Sequence, residues 1–414
     1  MSERLPTLAA QAEAEVSACF AAFARTAHEN TRRVLAALAA HRVSDGHFGG
    51  TTGYGYDDAG RAVLDAVYAD LLGAEDALVR IQFVSGTHAI ACALFAALRP
   101  GDVLVSATGL PYDTLHGVIG LHGAGMGSLR DYGIGFRSVA LAPDGTPDRD
   151  ALRQSVRDPA VRAVLIQRSR GYEARRALSI ADIEALVRLV KAENPAAAVV
   201  VDNCYGEFIE TREPCAVGAD LAAGSLIKNP GGGLALTGGY VAGRRDLVER
   251  AAARLTAPGI GRACGATLGQ NRALFQGLFQ APHVVSQALM TAAFCAALLE
   301  KLGCEADPKP CAPRGDIIQM IRFGAPEPLL RFCRGIQAGA PVDSFAVPEP
   351  WAMPGYDCPV VMAAGTFVQG ASLELSCDAP MRPPFDAYLQ GGLTYEAGRA
   401  GVLTAAAALL EETT

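Results

Sequence analysis

The lysine at position 228 is the residue whose type and surroundings point most directly to chemistry. It is one of only four lysines in the chain, and in AAGSLIKNPGGG it follows a small, apolar stretch and precedes a glycine-rich turn. A lysine amine can lose its proton and act as a nucleophile or base, which an arginine cannot do. We therefore predict a reactive amine at Lys228. The alternative is a lysine that only caps its loop.

Asp202 ends the apolar run AAAVVVDN, where a buried carboxylate suits a cationic partner such as a protonated ring nitrogen. The alternative is an aspartate that caps the following turn. Asn203 and Tyr205 come next in the chain, and we predict that they line the same pocket and contact substrate.

The turn Ser85-Gly86-Thr87 joins a β-rich run to an apolar helix pattern. Such a small-residue turn presents free backbone N–H groups at the positive end of a helix, which favours phosphate binding, although a plain N-cap has the same composition. Ser225, three residues before Lys228, offers a hydroxyl for the same phosphate. We predict a phosphate cradle from these residues.

Two further residues complete the predicted site. Tyr112, in GLPYDTLHG, begins a helix pattern where its ring can stack on a bound cofactor, the alternative being a core tyrosine. Arg382, in APMRPPFDAYLQGG, has a planar guanidinium that can clamp a substrate carboxylate, the alternative being a solvated surface arginine.

The elements that must position these residues alternate between short apolar runs and amphipathic helix patterns from about residue 78 to 255. This alternation predicts an α/β fold with a mostly parallel sheet covered on both faces. The sequence predicts three parts: a helical arm over 1–50, a large α/β domain over 51–278 and a smaller α+β domain over 279–414. Ligands of such sheets bind at the carboxyl ends of the strands, where the predicted site residues lie.

Composition narrows the function classes. The net charge of −7 in 414 residues gives no electrostatic reason to expect nucleic acid or a membrane surface as a partner, so we expect a small-molecule substrate. The N-terminus lacks a signal-peptide pattern, and we expect no stretch apolar enough to span a bilayer. The eleven cysteines show no CxxC pair and no metal-ligand spacing, so we expect reduced thiols, a cytoplasmic location and no metal.

Read in order, the segments SGTHA, PYDT, VDN and SLIKNPGG resemble the cysteine and methionine metabolism group of pyridoxal 5'-phosphate (PLP) enzymes. Further segments narrow the resemblance to the branch called the methionine gamma-lyase family or aluminium resistance proteins, which resemble cystathionine lyases. These segments span about residues 45 to 395: HFGGTTGYGYDDAGR, IQFVSGTHAI, IQRSRGY, VDNCYGEF, GSLIKNPGGGLA, APGIGRACGATLG and RPPFDAYLQGGLTY.

The resemblance implies the aspartate aminotransferase-like fold type I, PLP as cofactor and Lys228 as its Schiff-base residue. It also implies a homotetramer of close dimers in which Tyr56 and Arg61 reach the neighbouring subunit's phosphate. The chain departs from the better-known lyases at Ile227, where they carry a hydroxyl residue, which puts one phosphate contact in doubt.

The function implied is a carbon–sulfur lyase that acts on a methionine-, cystathionine- or cysteine-type amino acid by γ- or β-elimination. In this reaction Lys228 moves the α-proton, Asp202 keeps the cofactor ring protonated and Tyr112 assists the leaving thiol. Two alternatives remain open: another PLP reaction, either γ-replacement or transamination, and a non-catalytic protein of the same fold that is linked to metal tolerance. A dinucleotide-binding site is disfavoured because no GxGxxG follows the first strand.

Overall fold

A computed structural model describes residues 4–122, 125–173, 175–353 and 356–410. The ends of the predicted arm and of the predicted small domain, residues 1–3 and 411–414, lie outside this part. The described chain forms two sheets with helices packed on them, and it confirms the predicted α/β fold with a large mostly parallel sheet and a smaller α+β region.

The large sheet has seven strands in the order β1-β7-β6-β5-β4-β2-β3. The strands β3, β2, β4, β5 and β6 run parallel, and β7 is antiparallel to both β6 and β1. Its strands are β1 (Asp76–Arg80), β2 (Val103–Ser106), β3 (Gly135–Ser138), β4 (Val161–Gln167), β5 (Ala198–Asp202), β6 (Leu221–Ser225) and β7 (Gly239–Gly243). The central strands β5 and β6 are buried throughout because helices cover both faces of the sheet.

The helices before and between these strands follow the predicted alternation. They are α1 (Arg4–Ala40), α2 (Ala59–Leu72), α3 (Gly86–Ala97), α4 (Asp113–Ile119), α5 (Arg149–Val156), α6 (Ile180–Glu193) and α7 (Arg245–Leu255). Several begin at side chains that satisfy free N–H groups. Ser179, for example, accepts a hydrogen bond from the Asp182 N–H at the start of α6.

The second sheet is antiparallel, in the order β10-β11-β12-β9-β8, and helices cover one of its faces. The strands of this sheet are β8 (Glu305–Asp307), β9 (Gln319–Arg322), β10 (Val360–Ala363), β11 (Leu375–Pro380) and β12 (Asp386–Gly391). The helices of this part of the chain are α8 (Asn271–Lys301), α9 (Pro326–Ala338) and α10 (Tyr395–Leu410). The predicted boundary at residue 278 falls inside α8, which packs in the cores of both regions.

The long helices α1 and α8 lie side by side and connect the two regions. Residues in the first half of α1, such as Leu5 and Val16, belong to the core of the small domain, whereas Val34 belongs to that of the large domain. Within the predicted arm, Arg4–Ala40 is therefore a helix whose two halves pack against different regions. This arrangement fixes the two sheets relative to each other.

Two expectations from the sequence are wrong. Helix α8 is long and apolar enough to cross a membrane, but 83% of its most apolar window is buried inside the protein, so its composition reflects a core helix. Cys19 of α1 and Cys311, which follows β8, form a disulfide with their Cα atoms 5.7 Å apart, so these two thiols are not reduced. Their 292-residue separation hid the pair from any spacing argument.

A buried polar network lies next to the strands that carry the site. Arg168 donates to Asn203 (2.8 Å) and Glu213 (3.2 Å), while the Tyr240 hydroxyl donates to Glu207 (2.8 Å). Asn203 is fully buried in this network, where its amide donates to Glu213 and Tyr240. The prediction that Asn203 lines the pocket is therefore wrong, because its amide is needed to satisfy buried groups.

Glu207 should make the folded protein less stable as the pH rises. Burial raises the pKa of its carboxyl from 4.5 to about 8, and one of its oxygens has no hydrogen-bond partner among the described residues. Between about pH 4.5 and 8 the folded state therefore keeps a proton that the unfolded state has lost. The free energy of unfolding falls across this range by up to roughly 5 kcal/mol. We expect Glu207→Gln to flatten the pH dependence of the free energy of unfolding, measured with urea.

Glu396→Gln provides the control because Glu396 is exposed on α10. This variant should keep the wild-type slope. A Glu207→Gln protein with the same slope as the wild type would contradict the assignment.

Candidate active site

A cleft of about 260 Å³ opens at the carboxyl ends of β5 and β6, between the large sheet and the small domain. This is the edge at which ligands of open α/β sheets bind. Most of the predicted site residues line it together: Ser85, Gly86, Thr87, Tyr112, Asp202, Tyr205, Ser225 and Lys228. Lys228 is the only lysine or arginine among the described lining residues.

Lys228 lies on the tight turn that follows β6 and precedes a short 3₁₀ helix, Asn229–Gly231. The turn is closed by hydrogen bonds from the Gly231 N–H to the Lys228 carbonyl (3.2 Å) and from the Lys228 N–H to the Ser225 carbonyl (3.4 Å). A Cβ atom on Gly231 would lie 1.8 Å from the Leu226 carbonyl oxygen, so only glycine fits there. The glycine-rich motif thus fixes the direction of the lysine.

The amine of Lys228 lies 3.8 Å from the centre of the Tyr205 ring. Burial alone would lower the pKa of this amine, but its interactions with Cys204, Tyr205 and Asp202 raise it above its usual value. The sequence suggested an amine that loses its proton easily in a dry turn. In the structure the opposite holds, because Cys204, Tyr205 and Asp202 together favour the ammonium ion.

Asp202 ends β5 and is 5% exposed. Burial raises the pKa of its carboxyl, while the positive charges of Lys228 and Arg175 and the hydrogen bond from the Cys204 N–H (3.1 Å) oppose the rise. A buried carboxylate with such partners can hold a proton-bearing ring nitrogen, and a bound cation would compensate its charge.

The turn before α3 makes the other end of the cleft. Ser85 is the N-cap of α3 and accepts a hydrogen bond from the His88 N–H (3.1 Å), whereas the Thr87 hydroxyl contacts that of Thr114 (2.7 Å). A Cβ atom on Gly86 would lie 3.3 Å from the Ser225 side chain, so the helix start packs closely on the end of β6. N–H groups at a helix start and adjacent hydroxyls make a suitable anion site.

Tyr112 is held from two sides. Its N–H donates to the Gln167 side chain at the end of β4 (2.8 Å), and its hydroxyl is 2.6 Å from that of Tyr356 in the small domain. The guanidinium of Arg175 binds the carbonyl oxygens of Thr108 and Leu110 in the loop before it. Burial raises the pKa of the Tyr112 phenol well above 10, so it stays protonated at neutral pH.

Sequence reasoning missed the small-domain wall of the cleft. The Tyr172 hydroxyl donates to Asp378 on β11 (2.7 Å), and the Tyr205 hydroxyl lies 3.0 Å from that of Ser372. Tyr205 has a φ of +70°, a strained value that its contacts with Lys228 and the small domain maintain. These partners are far apart in the sequence and carry no motif, so only the fold brings them together.

Besides the buried Asn203, three predicted residues lie outside this cleft. Arg382 faces Glu173 (3.3 Å) in a neighbouring surface depression, so its predicted contact with a substrate carboxylate has no support from the geometry. The Arg61 guanidinium binds carbonyl oxygens of its own chain, at Gly55 and Ala263. Tyr56 is 58% exposed, away from the cleft, and its contact with a second subunit stays a prediction.

The cleft fits PLP in three respects. The start of α3 with Ser225 forms a cradle for a phosphate, the buried Asp202 is placed for a ring nitrogen, and Lys228 supplies an amine for an aldehyde. All three lie along the lining of one cleft. The donors therefore match the three polar ends of this cofactor.

Comparisons with known proteins agree with this geometry. The family model described as methionine gamma-lyase matches residues 5–410. The uncharacterized protein YnbB of Bacillus subtilis is 49% identical over 411 residues, which cover 99% of this chain and 97% of YnbB. A crystal structure of a carbon-sulfur lyase involved in aluminum resistance from Clostridium novyi has 48% identity and a TM-score of 0.94, covering 98% of this chain and 96% of that one.

A more distant structure is that of the PLP-dependent protein YhfS of Escherichia coli, which is 20% identical with a TM-score of 0.61. The superposition covers 91% of this chain and 94% of the YhfS chain. This likeness bears on the fold, which is that of the fold type I PLP-dependent enzymes. The resemblance found in the sequence is confirmed. By a match that spans nearly all of its length, this chain belongs to the methionine gamma-lyase family.

Proposed function

We propose that the protein is a PLP-dependent carbon–sulfur lyase that splits a sulfur amino acid, with one water, into a thiol, ammonia and a 2-oxo acid. The observation that carries the proposal is the convergence of Lys228, Asp202 and the α3 phosphate cradle on one cleft. When bound, PLP supplies an electron sink for the bonds that break at the substrate's α-carbon. The family match supports the reaction class.

Lys228 would bind the cofactor aldehyde and, once displaced by the substrate amine, carry the α-proton. Cys204, Tyr205 and Asp202 raise the pKa of the free amine, so a second role for the Asp202 carboxylate is to compensate part of the ammonium charge until the lysine gives up its proton. β-Elimination needs the α-proton removed, and γ-elimination needs a β-proton removed as well, so a single mobile amine in the cleft would suit both reactions.

Tyr112 is the proposed donor to the departing sulfur. Its phenol stays protonated because burial raises its pKa, and Tyr356 holds the hydroxyl from the opposite wall. A protonated phenol can stabilise a thiolate as the carbon–sulfur bond breaks. The tyrosines also exclude water from the reacting bond, since they pack edge to face at 5.4 to 6.1 Å between ring centres.

We further propose a homotetramer whose close dimers complete each active site with Tyr56. Support comes from the exposure of Tyr56 and Tyr54 at 58% and 74%, with their rings stacked 5.5 Å apart. Exposed aromatic pairs of this kind are typical of protein interfaces. A cytoplasmic location is proposed as well, because nine described cysteines are free thiols and the Cys19–Cys311 disulfide is the exception.

Product analysis tests the reaction class. The holoenzyme would be incubated with methionine, cystathionine and cysteine separately, and thiol, ammonia and 2-oxo acid would be measured. Equal amounts of all three products from one substrate are expected. A 2-oxo acid without ammonia would indicate transamination instead, consumption of an added thiol would indicate replacement, and no reaction with any amino acid would favour a non-catalytic protein.

Replacing Lys228 should abolish turnover. We expect Lys228→Ala to lose the visible absorption of covalently held PLP and at least about 10³-fold in kcat, because no other lysine or arginine lines the described cleft. Lys309→Ala is the control, since Lys309 binds Glu300 on the surface. Normal activity in Lys228→Ala would refute the assignment.

Asp202→Asn should separate binding from chemistry. The amide is the same size but cannot stabilise a protonated ring nitrogen, so we expect PLP to bind while kcat falls about 10²- to 10³-fold. Absorption spectra and steady-state kinetics give the two readouts. An unchanged kcat would show that Asp202 plays no part in the reaction.

A further inference from the structure

We propose that His116, His122 and Asp357 form a binding site for a divalent transition-metal ion, Zn²⁺ in particular, at the mouth of the active-site cleft. The ligand atoms of these three side chains lie within 4.8 Å of one another. His116 belongs to α4, His122 follows that helix, and Asp357 comes from the small domain next to Tyr356.

The geometry of His116 is that of a prepared metal ligand. Its Nε2 atom is 2.9 Å from the Pro111 carbonyl oxygen, a partner that can only accept, so Nε2 carries the hydrogen. The lone pair of the ring therefore lies on Nδ1. Ligating histidines usually donate their other ring N–H to a carbonyl or carboxylate in this way, which fixes both the tautomer and the orientation of the ring.

The two remaining ligands approach from the solvent side. The Nε2 atom of His122 is 3.8 Å from the Asp357 carboxylate, which is too long for a hydrogen bond, and both side chains are about 60% exposed. The imidazole rings of His116 and His122 have their centres 5.3 Å apart and lie edge to face, so they do not stack. The two imidazoles touch edge to face and the carboxylate is near His122, but no hydrogen bond joins these three groups, so their ligand atoms can close on an ion.

The donor set selects the ion. Imidazole nitrogen suits Zn²⁺ and related transition metals, whereas Mg²⁺ and Ca²⁺ prefer sites made only of oxygen atoms. Three protein ligands leave a fourth position for water or for a small ligand.

A bound ion would connect the two walls of the cleft. The Pro111 carbonyl that holds His116 immediately precedes Tyr112, and Asp357 immediately follows Tyr356, whose hydroxyl contacts that of Tyr112 at 2.6 Å. Zn²⁺ would therefore hold the Tyr356 segment over Tyr112. This consequence concerns the site of the proposed function, but the binding of the ion does not depend on the lyase reaction.

Binding is measured by titrating Zn²⁺ into chelator-treated holoenzyme in a calorimeter and by counting bound zinc after dialysis. We expect one site that needs all three residues, with zinc affinity at least about 100-fold weaker in His122→Ala and in Asp357→Asn. Both replaced side chains are exposed, so the fold should tolerate the changes. The free cysteines remain in every variant and cannot account for a difference.

His41→Ala is the matched control, since His41 forms a two-residue pair with Asp70 (2.6 Å) far from the cleft and has no third ligand in the described part of the chain. Its zinc binding should equal that of the wild type. Hydrogen exchange supplies a second readout: zinc should slow exchange of the Tyr356–Cys358 segment in the wild type but not in His122→Ala. Zinc binding that is absent from the wild type, or unchanged in His122→Ala and Asp357→Asn, would overturn the proposal, as would equal affinity for Mg²⁺.

Discussion

The structure depends on a buried ammonium ion facing a buried carboxylate at one edge of a parallel sheet. Asp202 ends β5 and Lys228 lies on the turn just after β6, so the parallel arrangement of β5 and β6 places both at the same edge. Removing either charge from water is costly, and each offsets part of the cost for the other. A ligand with an aldehyde could bind the amine, and its ring nitrogen could bind the carboxylate. Both protein groups are already in place for such a ligand.

The small domain supplies the opposite wall and makes the cleft narrow. Three contacts cross it: Tyr112 with Tyr356, Tyr172 with Asp378, and Tyr205 with Ser372. They tie aromatic side chains of the large domain to the small domain, while α1 and α8 hold the two regions together from behind. The position of the site thus follows from the sheet, and its shape from the contact between domains.

Much of this was predictable from the sequence because the strongest signals are local. A lysine before a glycine-rich turn and an aspartate after an apolar run each report on their own surroundings, and both line the cleft. Asn203 misled because its neighbour Asp202 faces the cleft while its own amide satisfies a buried arginine and glutamate. The Cys19–Cys311 disulfide and the Tyr356 contact depend on chain segments that only the complete fold brings together.

The central claim is that Lys228 is the amine that carries the cofactor. Its most direct test is to load the protein with PLP, reduce it with borohydride, digest it and locate the modified lysine by mass spectrometry. The account predicts one phosphopyridoxyl group per chain, on the peptide that contains Lys228. A label on Lys191, Lys301 or Lys309 instead, or no label after loading with PLP, would contradict it.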